Sequence, residues 1–272
     1  MNSLAGIGKL DRARLAEMIR GTEGCISVAE ASAILRVSPS EAAKMLSRWA
    51  KKGWLNRIKR GVYIPVPLES RTADVSLEEP WVIATKLYSP CYVGGLSAAE
   101  YWGLTEQIFR TVTIMTAQKP RNREPAIRGT KFLLRTVPQR AMFGLKTVWK
   151  GRTKILVSDQ ARTLTDLLSD PGLGGGIRPT ADLLVNYLGS DNPDMNLVLD
   201  YAKRTGNGAV LKRLGFLLEI YAPGQKDIID ACRSLLSKGN VKLDPQLEPD
   251  SLVTRWRLWV PKSWQKTREK KS

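Results

Sequence analysis

Histidine is absent from all 272 residues. With it go Ser-His and Cys-His nucleophile pairs, most zinc sites and the side chain best suited to proton transfer near neutrality. That omission weighs against a hydrolase. Cysteine is scarce: Cys25, Cys91 and Cys232 stand alone, are odd in number and form no CxxC pair. A disulfide framework and a cysteine-pair zinc motif are excluded, and buried, reduced thiols are expected. No run approaches the ~20 apolar residues of a membrane helix. The N-terminus also lacks a basic start followed by an apolar run and a cleavage site. The expectation is a cytoplasmic protein with no membrane partner, no metal and no cofactor.

Acidic residues are the other shortage, and it is local. From Arg110 to Lys154 one acid, Glu124, faces 12 lysines and arginines; from Met1 to Val75 there are 13 basic and 7 acidic residues. From Ile155 to Asp200 the sign reverses, with seven aspartates against Arg162 and Arg178. The net charge of +17 therefore attracts polyanions to the beginning and middle of the chain, while the later acidic stretch faces elsewhere. A length of 272 residues suffices for two domains, and 43% hydrophobic content suits folded cores.

What is present is densest between residues 27 and 65. Ser27-Val28-Ala29-Glu30 reads as a capping box, and Ser38-Pro39-Ser40-Glu41 repeats it with proline at the first helical position. Two helices start here, separated by a tight turn at Arg36 to Ser38. In the first, Val28, Ala31, Ile34 and Leu35 share a face; in the second, Ala42, Ala43, Leu46, Trp49 and Ala50 do. The opposite face of the second carries Ser40, Lys44, Ser47, Arg48 and Lys51, the build of a recognition helix. Gly53 suits the left-handed stop. Trp54–Ile58 and Val62–Val66 then read as strands joined through Lys59-Arg60-Gly61, a basic wing tip.

This order is that of a winged helix-turn-helix, and duplex DNA is the expected ligand. Ser40, Lys44, Ser47 and Arg48 are expected at base edges or nearby phosphates, and Lys51, Arg57, Lys59 and Arg60 mainly at phosphates. The Tyr63 hydroxyl touches the backbone or the ring packs under the wing. The plainer alternative is a solvated helix beside an ordinary hairpin.

Pro65, Pro67 and the polar stretch Glu69–Ser76 mark a boundary, giving a first domain over 1–70 and a second over 77–272. In the second, Pro80–Leu87 and Ser97–Trp102 read as helices; Cys91–Val93, Thr111–Thr116 and Lys131–Val137 read as strands. Thr147–Trp149 and Lys154–Val157 read as a hairpin. After Ser158, a candidate cap, the pattern is helical through Ala161–Leu168, Ala181–Leu188, Leu197–Lys203 and Ala209–Ile220; Val253–Val260 alternates like a strand. The fold class is α+β: a winged helix-turn-helix, a mixed core over about 77–157, a helical part over about 158–240, then a strand and a basic tail. That tail, with Lys262, Lys266, Arg268, Lys270 and Lys271, is either a phosphate-touching arm or a solvated terminus.

Arg121, Arg123, Arg128, Lys131, Lys150 and Arg152 make the basic middle a candidate second surface, for nucleic acid including RNA, for an acidic protein, or simply a solvated sheet edge. Gly172, Gly174, Gly175 and Gly176 lack the Gly-Lys-Ser/Thr ending of a phosphate loop and read as a helix connection. Arg162 and Asp166, four apart, read as an intrahelical ion pair worth ~0.3 to 0.5 kcal/mol. A nuclease would gather carboxylates and a lysine around a metal; the basic middle has only Glu124, and the later aspartates are scattered.

Five stretches together resemble the AbiEi family of antitoxins. They are Arg60-Gly61-Val62-Tyr63; Tyr92-Val93-Gly94-Gly95-Leu96-Ser97-Ala98-Ala99 running into Gly103-Leu104-Thr105-Glu106-Gln107; Val157-Ser158-Asp159 with Arg162-Thr163-Leu164-Thr165-Asp166; Arg213-Leu214-Gly215-Phe216-Leu217-Leu218-Glu219; and Trp256-Arg257-Leu258-Trp259-Val260-Pro261. The resemblance implies a non-enzymatic DNA-binding antitoxin of type IV. Its winged helix binds repeats in its own promoter and represses the operon, and the larger C-terminal part neutralises a nucleotidyltransferase-like toxin. A plain winged-helix repressor and a DNA-targeted nuclease are the alternatives.

Overall fold

The computed structural model describes residues 6–22, 24–66, 80–151 and 153–264. The stretch expected to divide the chain, Glu69–Ser76, and four of the five basic tail residues, Lys266, Arg268, Lys270 and Lys271, lie outside them, as does Arg152. Lys262 is described and exposed.

The chain opens with α1 (Lys9–Gly21), β1 (Ile26–Ser27), α2 (Val28–Leu35), α3 (Pro39–Lys51), β2 (Leu55–Lys59) and β3 (Val62–Pro65). At Ser27 the capping box forms as expected: its hydroxyl accepts from Glu30 N at 3.1 Å, and Glu30 accepts in return from Ser27 N at 2.9 Å. At Ser38 the hydroxyl accepts from Glu41 N, with Pro39 at the first helical position; Glu41 returns no bond. Arg36 takes the left-handed conformation between the helices, φ 52°. A Schellman motif ends α3: Gly53 N donates to Ala50 O and Trp54 N to Trp49 O, with Gly53 at φ 83°. Ala42, Met45, Leu46 and Trp49 of α3 are buried, with Ala43 and Ala50 half-buried beside them. They pack with Leu15 and Met18 of α1 and with Ile26, Leu55 and Tyr63.

The three strands form a sheet in the order β1-β3-β2. Only a two-residue tip, Arg60-Gly61, connects β2 to β3, so Lys59 belongs to the strand rather than the expected turn. The Gly61 carbonyl accepts from Val28 N, tying that tip to the start of α2.

The second unit contains α4 (Pro80–Tyr88), β4 (Cys91–Val93), α5 (Gly95–Tyr101), β5 (Thr111–Thr116), β6 (Ala126–Ile127), β7 (Thr130–Thr136), β8 (Leu145–Lys150) and β9 (Thr153–Ser158). Its six-stranded sheet runs β6-β7-β5-β4-β9-β8. β5 is parallel to β7, β4 is parallel to β9, and β4–β5 and β8–β9 are antiparallel. Alternation sends Ile114, Phe132, Leu134, Ile155 and Val157 to one face, under Val82, Ile83 and Leu87 of α4. Tyr92, Met115, Leu133 and Leu156 face the other way, into a larger core.

That larger core is built by α6 (Gln160–Ser169), α7 (Ile177–Leu188), α8 (Met195–Thr205), α9 (Gly208–Tyr221) and α10 (Lys226–Ser234), closed by β10 (Val241–Lys242), β11 (Ser251–Val253) and β12 (Leu258–Val260). Two expectations need correction. The cap of α6 is Asp159, accepting from Arg162 N at 2.7 Å, and not Ser158. Residues 253–260 are not one strand: a 3-10 turn over Thr254–Trp256 and a left-handed Arg257, φ 53°, fold them into an antiparallel pair.

The resembling stretches meet in this part as packing. Arg213, 3% exposed, donates to the carbonyls of Leu168, Ser169, Lys242 and Leu243, joining the end of α6 to β10. Burial drives its pKa down to about 10, with Asp244 and Asp170 opposing that shift. Glu219 accepts from Trp256 Nε1 at 2.6 Å, and a Cβ on Gly215 would lie 2.1 Å from the Trp256 ring. Only a residue without a side chain fits there. Gly215→Ala is expected to lower stability by about 2–3 kcal/mol as the ring is forced from its rotamer, read as a lower denaturant midpoint in chemical unfolding.

Candidate nucleic-acid interface

Because α3 buries one face, the opposite face is presented to solvent. Ser40, Lys44, Arg48 and Lys51 are exposed and Ser47 is half-buried, spaced so that they form one stripe down the helix. Arg57 and Arg60 are exposed on the hairpin beside it. Arg57 pairs with Tyr63 and shares the side of Leu55, towards α3. Lys44, Arg48, Lys51, Arg57 and Arg60 are thus gathered around one helix and one hairpin.

Two expected members are elsewhere. Tyr63 is 4% exposed and packs in the core beneath the hairpin. Lys59 is turned away by a bulge: the register shifts between Arg57 and Lys59, and Lys59 pairs with Val62 on the side facing α4. Its ammonium donates to Leu87 O at 3.2 Å. The hairpin therefore faces the second unit with Ile58, Val62 and Ile64, which pack against the Val82–Leu87 core.

A second contact fastens the same two units. Lys86 donates to Glu30 at 3.0 Å and to Cys25 O at 2.9 Å. Burial pushes the Glu30 carboxyl up, but bonds from Ser27 and Lys86 outweigh it and hold the pKa below its usual 4.5. A depressed carboxylate pKa gives stability that is complete above the unfolded value and lost as pH falls through the folded one.

Asp11 is a site residue that the sequence reading missed. In α1, Asp11, Leu15 and Met18 lie at i, i+4 and i+7, so an acid sits on the face whose other two members are buried. Its carboxylate accepts from Arg48 Nη2 at 2.9 Å, with side chains 19% and 53% exposed respectively. An acid on an apolar stripe was the available signal.

The proposed second surface is not one surface. Arg121, Arg123 and Lys131 are exposed and Arg128 is half-buried, all around β6 and β7. Lys150 lies on β8 at the opposite edge, its ammonium 5.9 Å from the centroid of the Trp81 ring. With β5, β4 and β9 between β7 and β8, four strand spacings place the groups about 19 Å apart.

Arg162 and Asp166 do pair, at 3.0 Å, but with side chains only 3% and 4% exposed. Tyr92 accepts from Arg162 and donates to Asp166 at 2.9 Å. Burial pushes the Asp166 carboxyl up while Arg162 and Tyr92 pull it down. This is a buried structural pair, and removing one partner strands a charge, a loss of about 3–5 kcal/mol rather than tenths. The glycine run ends at Gly176, where Ile177 N, at the start of α7, donates to the buried carboxylate of Asp244 at 2.8 Å. Among the described residues no three carboxylates or thiols converge where a metal ion could be held. Among them, too, no helix is long and apolar enough to cross a membrane.

Residues 13–66, which contain α2, α3 and the hairpin, match the family model described as "Transcriptional regulator, AbiEi antitoxin". Over those residues the chain is similar to the AbiEi antitoxin family. That family is one of regulators and antitoxins, and not an enzyme family. Across 95% of this chain and 94% of the other, the fold is similar to the crystal structure of the RV2827C protein from Mycobacterium tuberculosis, with a TM-score of 0.62 at 13% identity. At that identity the likeness is one of fold. No curated protein shows a significant match.

The N-terminal segment and the sheet unit share the Glu30–Lys86 contact, which pH can interrogate. Glu30→Gln is expected to lower thermal stability at pH 7 by up to about 1 kcal/mol, given a side chain open to solvent screening. The gap between variant and native melting temperatures should close as pH falls below 4.5.

Proposed function

We propose that this protein is a DNA-binding antitoxin that represses its own operon. The observation supporting this most directly is the stripe of Ser40, Lys44, Arg48 and Lys51 opposite the buried face of α3, flanked by Arg57 and Arg60. A helix of this kind enters the major groove, where its exposed face reaches base edges and the flanking cations meet phosphates. Ser40, Lys44, Ser47 and Arg48 take the first role; Lys51, Arg57 and Arg60 take the second. Lys59 is left out because its ammonium is engaged with Leu87.

In this reading, copies bound at promoter repeats block transcription in the cytoplasm. The antitoxin role rests on the family of residues 13–66 and on the resembling stretches that continue to Pro261. The larger unit, in a chain without catalytic activity, counters a nucleotidyltransferase-like toxin. The basic edge carrying Arg121, Arg123, Arg128 and Lys131 is its candidate contact with that toxin.

Lys44→Ala/Arg48→Ala is expected to weaken binding to the duplex upstream of its own gene by at least about tenfold, measured by fluorescence anisotropy, while still protecting cells that express the adjacent toxin gene. Undiminished DNA binding would remove the assignment of α3, and loss of both functions would argue for a folding defect. With about three phosphates neutralised, log affinity should fall with log salt at a slope of about −3.

A further inference from the structure

The Asp11–Arg48 pair has a geometry that a mere tether of α1 does not need. Asp11 lies in the first turn of α1, on the same face as the buried Leu15 and Met18, so its carboxylate is mostly enclosed. It takes a single bond, at Arg48 Nη2. An arginine carries five N–H donors in a planar fork. One bond at Nη2 leaves a complete pair of parallel donors on another edge of the guanidinium, while the side chain is 53% exposed on the recognition stripe.

We infer that Asp11 is a positioning residue that sets the fork of Arg48 for bidentate reading of a guanine edge in the major groove. This rests on the DNA-binding reading above and adds to it the residue that confers base preference and the class of base preferred. The physical argument is preorganisation. A long, half-exposed arginine samples many rotamers, and a mostly enclosed carboxylate on a neighbouring helix selects one before DNA arrives. The acid also carries an opposing charge. It repels phosphates, so it lowers affinity for duplexes of any sequence while raising the preference for the right one. A residue that only braced α1 would change both affinities through folding, and their ratio would stay.

The test measures affinity for two labelled duplexes, the intergenic segment upstream of its own reading frame and a shuffled segment of equal length and composition. Asp11→Asn is expected to strengthen binding to the shuffled duplex, and to cut the ratio of the two affinities by roughly tenfold. Arg48→Lys, which keeps the cation but not the fork, is expected to cut the ratio similarly. In an Arg48→Lys background, Asp11→Asn should reduce the ratio no further, since both act through one contact. Thermal melting of each variant identifies those that remain folded, and Arg48→Lys keeps the test open if Asp11→Asn does not. A ratio unchanged by folded Asp11→Asn or by Arg48→Lys, or losses that add independently, would overturn the inference and leave the DNA-binding reading standing. A native protein that does not distinguish the two duplexes would overturn both.

Discussion

The hairpin of β2 and β3 carries packed side chains on both of its faces, and the placement of the rest follows from it. Leu55 and Tyr63 turn towards α3 and complete the first core, while Ile58, Val62 and Ile64 turn towards α4 and extend the second. A β-ribbon has only two faces. With both occupied, the ribbon becomes a partition between two hydrophobic cores, and the exposed stripe of α3 is oriented with respect to the six-stranded sheet. The polar fastenings lie beside this partition: Lys59 on Leu87 O, and Lys86 on Glu30 and Cys25 O.

Much of this was legible in the residues. The Ser27 capping box, Pro39 after Ser38, and Gly53 each dictate a local conformation through backbone chemistry alone, and all three form as read. Most strands of the large sheet were found from alternation. Two helices were missed that carry no such signal at their starts, α1 at Gly8 and α10 at Gln225, neither with a side-chain cap, and the two-residue strands β1, β6 and β10 are too short to show alternation. The bulge that reverses Lys59 was hidden, because strand alternation by itself places residue 59 on the side of residue 57. Strand order was hidden too. A basic stretch contiguous in sequence becomes two separate edges once β5, β4 and β9 lie between its ends.

The buried polar residues of the C-terminal part show the limits of spacing arguments differently. Four residues apart on a helix, Arg162 and Asp166 satisfy the rule for a surface ion pair, yet Tyr92 closes over them. Spacing reports which side chains meet and says nothing about the dielectric in which they meet. The same holds for Arg213 and Gly215. In sequence they look like part of a helical face, and in the fold one fastens four carbonyls while the other makes room for a tryptophan.

The glycine run before α7 illustrates how a familiar pattern can be internally satisfied. The positive end of a helix, approached through residues lacking side chains, is an ordinary receptor for dissolved anions. Here the chain supplies its own counter-ion from 67 residues further on. Asp244, 3% exposed, sits where a phosphoryl group would otherwise dock, so the socket is already plugged and serves to pin the terminal strands onto the helical layer.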